Sequence, residues 1–260
     1  MNSESNNIRR LEEIALNAFP AISTEFYDGW ILRYSNGYTF RGNSVNPLYK
    51  SEIDLKNKIE YCERKYCDKN LPCVFKMTDA VDSNLDKLLA DRGYTVEKAA
   101  DIMECCTKDF VNLNEELDVN INIEMTDSWL NNFLILNGTI DKKTKNTASG
   151  MLKNIQNKIF CASIIKDNKM VACGLGVLED CKIGLYDIRV LEEYRRKGLA
   201  FKLCSRIIQE GIKAGAHSAY LQVASTNSGA IKLYEKLGFT KTYTYWYRVK
   251  KDKNYNGKTD

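Results

Sequence analysis

A single histidine, His217, occurs in 260 residues, which leaves little basis for a histidine-containing metal centre. No stretch approaches the roughly 20 apolar residues that a membrane-spanning helix needs. Residues 1–10 are polar and lack the apolar run of a secretion signal, so a cytoplasmic chain is expected. No basic helix or aromatic platform of the kind that binds nucleic acid stands out. The formal charge is only +4, and much of the excess sits in Arg248, Lys250, Lys251, Lys253 and Lys258. Residues 251–260 read as a flexible, solvated basic tail. Nine cysteines are present, but Cys62 and Cys67 lie five apart on a helical stretch and Cys105 adjoins Cys106 in a strand-like run. Neither spacing suits zinc. In a reducing compartment the expectation is free thiols serving as small buried hydrophobes.

What is present is the composition of a soluble globular protein. With 44% hydrophobic and 28% charged residues, the chain can bury a good core and has room for one large domain or two of ordinary size. The second half divides cleanly. Residues 128–136 read as a helix, 137–147 as a polar loop and 148–155 as a second short helix. Strands at 158–166 and 170–178 flank the turn residues Asp167-Asn168, and 182–190 is a further strand. Residues 199–214 form an amphipathic helix, with Leu203, Ile207, Ile208 and Ile212 near helical period and Gly215 as its stop. A strand at 219–223, a helix at 229–237 closed by Gly238 and an aromatic-rich strand at 240–249 complete the half. Periodicity alone gives an α/β class.

The junction of strand 182–190 with helix 199–214 carries the chemistry. A basic turn, Arg195-Arg196-Lys197-Gly198, leads into the helix. The first helical turn has backbone N–H groups without intrahelical partners, and the helix dipole adds roughly half a positive charge there. Gly198 allows the main chain to approach a bulky oxyanion, so the arrangement suits a pyrophosphate.

Two motifs here carry a family resemblance. Arg195-x-x-Gly198-x-Ala200 resembles the Q/R-x-x-G-x-G/A signature of the GNAT superfamily of acyl-CoA-dependent N-acyltransferases. Asn227-Ser228-Gly229-Ala230-Ile231-Lys232-Leu233-Tyr234-Glu235-Lys236-Leu237-Gly238-Phe239 is similar to the family's N-x-x-A-x-x-L-Y-x-K-x-G-F element. The resemblance covers about residues 120–250. It implies an α/β (α+β, mixed-sheet) GNAT fold and acetyl-CoA as co-substrate, with no metal. It further implies that the main chain of Ile188, Arg189 and Val190 pairs with the pantetheine arm, one N–H lying near the thioester oxygen. Arg195, Arg196, Lys197, Gly198, Leu199 and Ala200 would hold the pyrophosphate, Asn227 would bond the pantetheine arm, and Tyr234 would be the general acid. The bland alternatives are an N-cap for Asn227, core packing for Tyr234 and a solvated turn for Arg195 to Lys197. Glu192 stands where many relatives have proline.

No general base is singled out among Asp187, Glu192 and Glu193. Strand alternation would put Asp187 with Arg189 on one face and Ile188 with Val190 on the other. His217 is expected on the surface. Trp30, Arg33, Tyr38, Arg41, Asn43 and Ser44 are open to two readings, recognition of a carboxylate-bearing acceptor or packing. The resulting expectation is an N-acetyltransferase of a primary amine on a small molecule, amino acid or peptide. It would be a monomer or homodimer with neither nucleic-acid nor membrane partners. A non-catalytic acyl-CoA sensor and an interaction module using the lysine-rich tail are the alternatives.

The first half echoes the second. Moved back by 145 residues, Gly238-Phe239 falls on Gly93-Tyr94, Val190 on Val45, and 220–223 on 75–78. The turn 195–200 falls on Lys50-Ser51-Glu52-Ile53-Asp54-Leu55, which has no glycine and two acids. Asn227 meets Asp82 and Tyr234 meets Leu89. The expectation is a degenerate GNAT-like domain over 1–117, a catalytic GNAT domain over 118–250, and the tail over 251–260.

Overall fold

In a computed structural model, which describes residues 3–108, 110, 118–139 and 141–250, the chain forms two compact units. One comprises Met1–Ala100, Gly150–Asn154 and Tyr243–Asp260, the other Asp101–Ser149 and Ile155–Thr242. The tail expected at 251–260 lies outside the described residues.

The first unit begins with helix α1 (Ser3–Ala18) and strands β1 (Ser23–Tyr27), β2 (Trp30–Tyr34) and β3 (Val45–Pro47). Helix α2 (Leu55–Cys67), strand β4 (Val74–Thr78) and helix α3 (Ser83–Asp91) follow, then strand β5 (Thr95–Cys106), which passes into the second unit at Asp101. Asp28 and Gly29 have φ of 42° and 80° between the paired residues Tyr27 and Trp30, the two left-handed positions of a tight hairpin. β1 and β2 pair antiparallel, as do β2 and β3, whereas β3 and β4 run parallel from the single register pair Val45↔Phe75. The last strand, β11 (Thr240–Val249), alternates inward Tyr243, Tyr245, Tyr247 and Val249 with less buried residues, and its end pairs antiparallel with β4.

A charged pair lies inside this unit. Lys76 on β4 is 2.5 Å from Glu12 of α1, whose other oxygen accepts from the Tyr243 hydroxyl at 2.8 Å. The Lys76 ammonium also sits 4.0 Å from the Tyr245 ring centre. Burial holds its pKa below the ordinary lysine value, with Glu12 opposing. Replacing Lys76 by methionine leaves a buried carboxylate uncompensated, and a loss of about 3–5 kcal/mol in denaturant unfolding is expected. The double variant Glu12→Leu/Lys76→Met is expected to recover most of it. A single variant as stable as the wild type would show that the pair contributes nothing.

The second unit adds strand β6 (Asn120–Asn122), helix α4 (Asp127–Leu136), helix α5 (Lys142–Lys153) as far as Ser149, and strands β7 (Lys158–Lys166), β8 (Lys169–Glu179) and β9 (Lys182–Val190). A short 3-10 turn (Glu192–Tyr194), helix α6 (Leu199–Lys213), strand β10 (Ser218–Ala224) and helix α7 (Ser228–Lys236) follow. β6 to β9 pair antiparallel in chain order, and β9 runs parallel to β10, which makes the sheet mixed. The β7–β8 turn has φ of 49° at Asp167 and 60° at Asn168, as the turn chemistry predicts. α6 buries Leu203, Ile207, Ile208 and Gly211 against the sheet, whereas Ile212, on the same apolar period in the sequence, is exposed. Trp129 of α4 donates to the Ala162 carbonyl on β7 at 3.2 Å.

One boundary is corrected. The polar residues 142–147 are helical within α5, not loop, because Asp141 starts the helix: its carboxylate accepts from Thr144 N at 2.9 Å and its carbonyl from Lys145 N at 3.0 Å. The cysteines are free, but Cys67, Cys106 and Cys181 are exposed rather than buried. Among the described residues no helix is long and apolar enough to cross a membrane, and no histidine, cysteine or acid cluster could hold a metal.

The elements of the two halves correspond at the offset of 145. Helix α3 falls on α7 from end to end, β4 falls within β10, α2 within α6, and β5 begins where β11 begins. The helix ends match in detail. Tyr94 N bonds Leu89 O and Phe239 N bonds Tyr234 O, each at 3.0 Å, behind Gly93 and Gly238 at φ of 85° and 90°. The correspondence fails before Val45, where residues 37–44 form a loop in place of most of β9. Asn43 organises that loop by accepting from Ser35 N and Gly37 N and donating to Thr39 O.

Candidate functional site

β9 and β10 are hydrogen-bonded neighbours for only part of their length. Their parallel register runs from Lys182↔Ser218 to Leu185↔Leu221, while β9 continues to Val190 and β10 to Ala224. Beyond Leu185, the register of β9 is with β8 alone. The residue pairs jump from Leu175↔Tyr186 to Cys173↔Arg189, so Asp187 and Ile188 together oppose Gly174. This is a β-bulge, with Asp187 in the left-handed region at φ 47°. Ile188 and Val190 pack on the α6 side of the sheet. Arg189 is exposed, and its Nε donates to Asn137 Oδ1 at 2.7 Å. Asp187 is the extra residue of the bulge, so strict alternation breaks there: Arg189 shares the face of Tyr186, three residues away. Sequence alternation alone could not reveal the inserted residue.

The turn after β9 is solvent-facing, with Arg195, Arg196, Lys197 and Gly198 all exposed. Tyr194 N and Arg195 N bond back to Leu191 and Glu192, and backbone bonding resumes with Lys202 N to Gly198 O at 3.1 Å. Between them, among the described residues, no backbone acceptor takes the N–H groups of Arg196 through Phe201. Two left-handed residues, Arg196 at φ 62° and Gly198 at φ 76°, curl this stretch. Such a curl turns successive N–H groups toward one concavity. The Arg195 guanidinium donates to the Val190 carbonyl at 3.3 Å, tying the turn to the strand end. The Lys197 ammonium sits 5.0 Å from the Tyr194 ring centre.

Asn227 is the N-cap of α7: its Oδ1 accepts from Ala230 N at 3.1 Å. Its amide nitrogen keeps two donors for another partner. Tyr234 is half-buried, with its ring edge-on to Phe239 at 6.1 Å between centres. Burial raises its pKa well above that of a free phenol. Cys204 and Asp187 act in the same direction and Arg189 against it. Tyr234 therefore lies within electrostatic reach of the bulged end of β9, on a helix with no fully buried residue.

Other candidates resolve differently. His217 is exposed. Arg33 is buried among carbonyls, donating to those of Arg41, Leu16 and Phe19, and Asn43 is committed to its own loop. Trp30 and Ser44 are buried as well. These four pack the first unit. Leu89, at the place of Tyr234, is fully buried, and Asp82, at the place of Asn227, caps α3 through Asn84 N.

Residues 5–248 match the sequence model of the family described as "Probable histone acetyltransferase Rv0428c C-terminal". The chain is 28% identical over 249 residues to "Uncharacterized N-acetyltransferase YobR" of Bacillus subtilis strain 168, covering 94% of this chain and 99% of that protein. A GCN5-related N-acetyltransferase from Kribbella flavida superposes with a TM-score of 0.72 at 14% identity, covering 94% and 95% of the two chains. A tandem GNAT protein from the clavulanic acid biosynthesis pathway superposes with a TM-score of 0.59 at 9% identity, covering 97% and 98%.

Proposed function

This chain belongs to the Rv0428c C-terminal acetyltransferase family within the GNAT superfamily and is an N-acetyltransferase, and on that premise we propose that it moves an acetyl group from acetyl-CoA to a primary amine of a small molecule, amino acid or peptide. The observation that carries the reading is the edge of β9 beyond Leu185, left without a β10 partner and leading into a turn whose N–H groups face no backbone acceptor.

The coenzyme supplies an acetyl thioester and a diphosphate. The main chain of Ile188, Arg189 and Val190 runs beside the pantetheine arm in place of a neighbouring strand. Val190 contributes through its course rather than its carbonyl, which Arg195 already engages. The N–H groups of the 196–200 turn receive the diphosphate, with Arg195, Arg196 and Lys197 adding charge. Asn227 donates its amide hydrogens to the arm while its oxygen keeps α7 capped. The acceptor nitrogen forms a bond to the acetyl carbon as the C–S bond breaks, and the Tyr234 hydroxyl gives its proton to the departing sulfur. The amine's surplus proton leaves to a base that no residue here is assigned to be.

On the same reading the second half is the catalytic GNAT domain and the first a degenerate copy. The chain is placed in the cytoplasm, where free thiols persist. The deciding experiment is incubation with acetyl-CoA and a panel of amines, amino acids and peptides. Free CoA thiol and N-acetylated product should appear in equal amounts. Thiol release that no amine stimulates, or binding without turnover, would overturn the reading in favour of an acyl-CoA sensor.

A further inference from the structure

The place in the first unit that corresponds to the phosphate turn is not simply acidic. The offset of 145 sets Glu52 on Lys197, Ile53 on Gly198 and Lys58 on Leu203. Here the backbone N–H groups of Glu52 and Ile53 do have an acceptor, the carboxylate of Asp28. Glu52 N lies 3.1 Å from both of its oxygens and Ile53 N 3.0 Å from Oδ2. Asp28 reaches them from the tip of the β1–β2 hairpin. Gly29 makes the approach possible, since a Cβ there would run into the carbonyls of Lys50 and Tyr49.

Lys58 completes the arrangement. At the position where α6 buries a leucine, α2 carries a lysine whose side chain is 0% exposed. Its ammonium lies 3.0 Å from Asp28 Oδ2 and also donates to the Asp28 carbonyl and Ser51 Oγ, 4.1 Å from the centre of the Trp30 ring. A cation at a core position is costly unless an anion is fixed beside it. Two convergent N–H groups and a buried ammonium form an anion receptor, and its occupant is part of the chain. Beside it opens a cleft of about 550 Å³ lined by Arg9, Trp30, Leu48, Lys50, Val81 and Leu85 among others. That is within the range of small-molecule sites.

We propose that the first half retains an anion seat of the class that takes a phosphate or diphosphate, and that the Asp28 carboxylate fills it permanently as an internal ligand. Loss of coenzyme binding there is then a substitution of one anion for another, not a collapse of the site.

In the wild-type protein, the amide resonances of Glu52 and Ile53 should titrate together with the Asp28 carboxyl. The hydrogen bonds from Ile53 and Lys58 hold that carboxyl below its ordinary pKa. The contact therefore persists above the ordinary carboxylate range and is lost as pH falls through the depressed value. In Asp28→Gly, which the positive φ tolerates, inorganic phosphate at about 100 times its dissociation constant should raise the unfolding midpoint by roughly 5 °C. It should leave the wild type and Asp28→Gly/Lys58→Met unchanged. A folded Asp28→Gly indifferent to phosphate, or wild-type amides that do not follow Asp28, would overturn the proposal. If the variant fails to fold, the wild-type titration decides.

Discussion

Replacing Gly198 by glutamate is expected to weaken acetyl-CoA binding by more than about 100-fold while leaving the chain folded. The structural part of the cost is modest. A Cβ at Gly198 would meet nothing within 4 Å, so the variant suffers only the left-handed backbone at φ 76°, about 1–2 kcal/mol for a residue with a side chain. The binding cost is larger, because the new carboxylate competes for the same N–H groups as the diphosphate. Hydrogen bonds to a charged group contribute about 1.5–3 kcal/mol each, and each 1.4 kcal/mol lost is about tenfold in affinity. Calorimetric titration of both proteins checks this. Unchanged affinity would place the coenzyme elsewhere, and two coenzymes per wild-type chain would show that the first half also takes one.

Tyr234→Phe is expected to lower the rate of acetyl transfer by about 10²–10⁴-fold, the usual contribution of a positioned general acid, with acetyl-CoA affinity nearly unchanged. The ring stays, so its packing on Phe239 survives and only the proton is removed. Burial raises the tyrosine pKa above its ordinary 10.0, so the proton-bearing form persists through the neutral and mildly alkaline range. An alkaline decline below about pH 10 should then come from another group. Single-turnover measurements separate chemistry from product release. A variant as fast as the wild type would assign Tyr234 to packing, which is what Leu89 does at the corresponding place in the first unit.

The contrast between those two positions shows what the sequence could and could not convey. Tyr234 and Leu89 occupy the same turn of matching helices, closed by the same glycine geometry at Gly238 and Gly93, and the spacing alone revealed that. The Asp167-Asn168 turn and the apolar face of α6 were likewise legible, because each depends on local chemistry or on one helical period. The bulge at Asp187 was not, since an extra strand residue is defined only by what lies across from it. The first turn of α5 was missed because 142–147 carry no apolar period, and Asp141 supplies the start signal instead. Asp28 was invisible as a ligand: it sits 24 residues from Glu52, and only the hairpin fold brings them together.

A receptor filled from within its own chain has a property that one filled from solution lacks. Its occupancy does not follow concentration. The Glu52–Ile53 turn ahead of α2 is satisfied by Asp28 in the folded chain at any level of metabolite, and its contribution to stability does not depend on ligand supply. The N-terminus of α6, on the proposed function, gains its partner by mass action, and stability there grows as the logarithm of ligand concentration. Two turns of matching position thus differ in thermodynamic kind, one a fixed component of the scaffold and the other a variable that reports the supply of acyl donor.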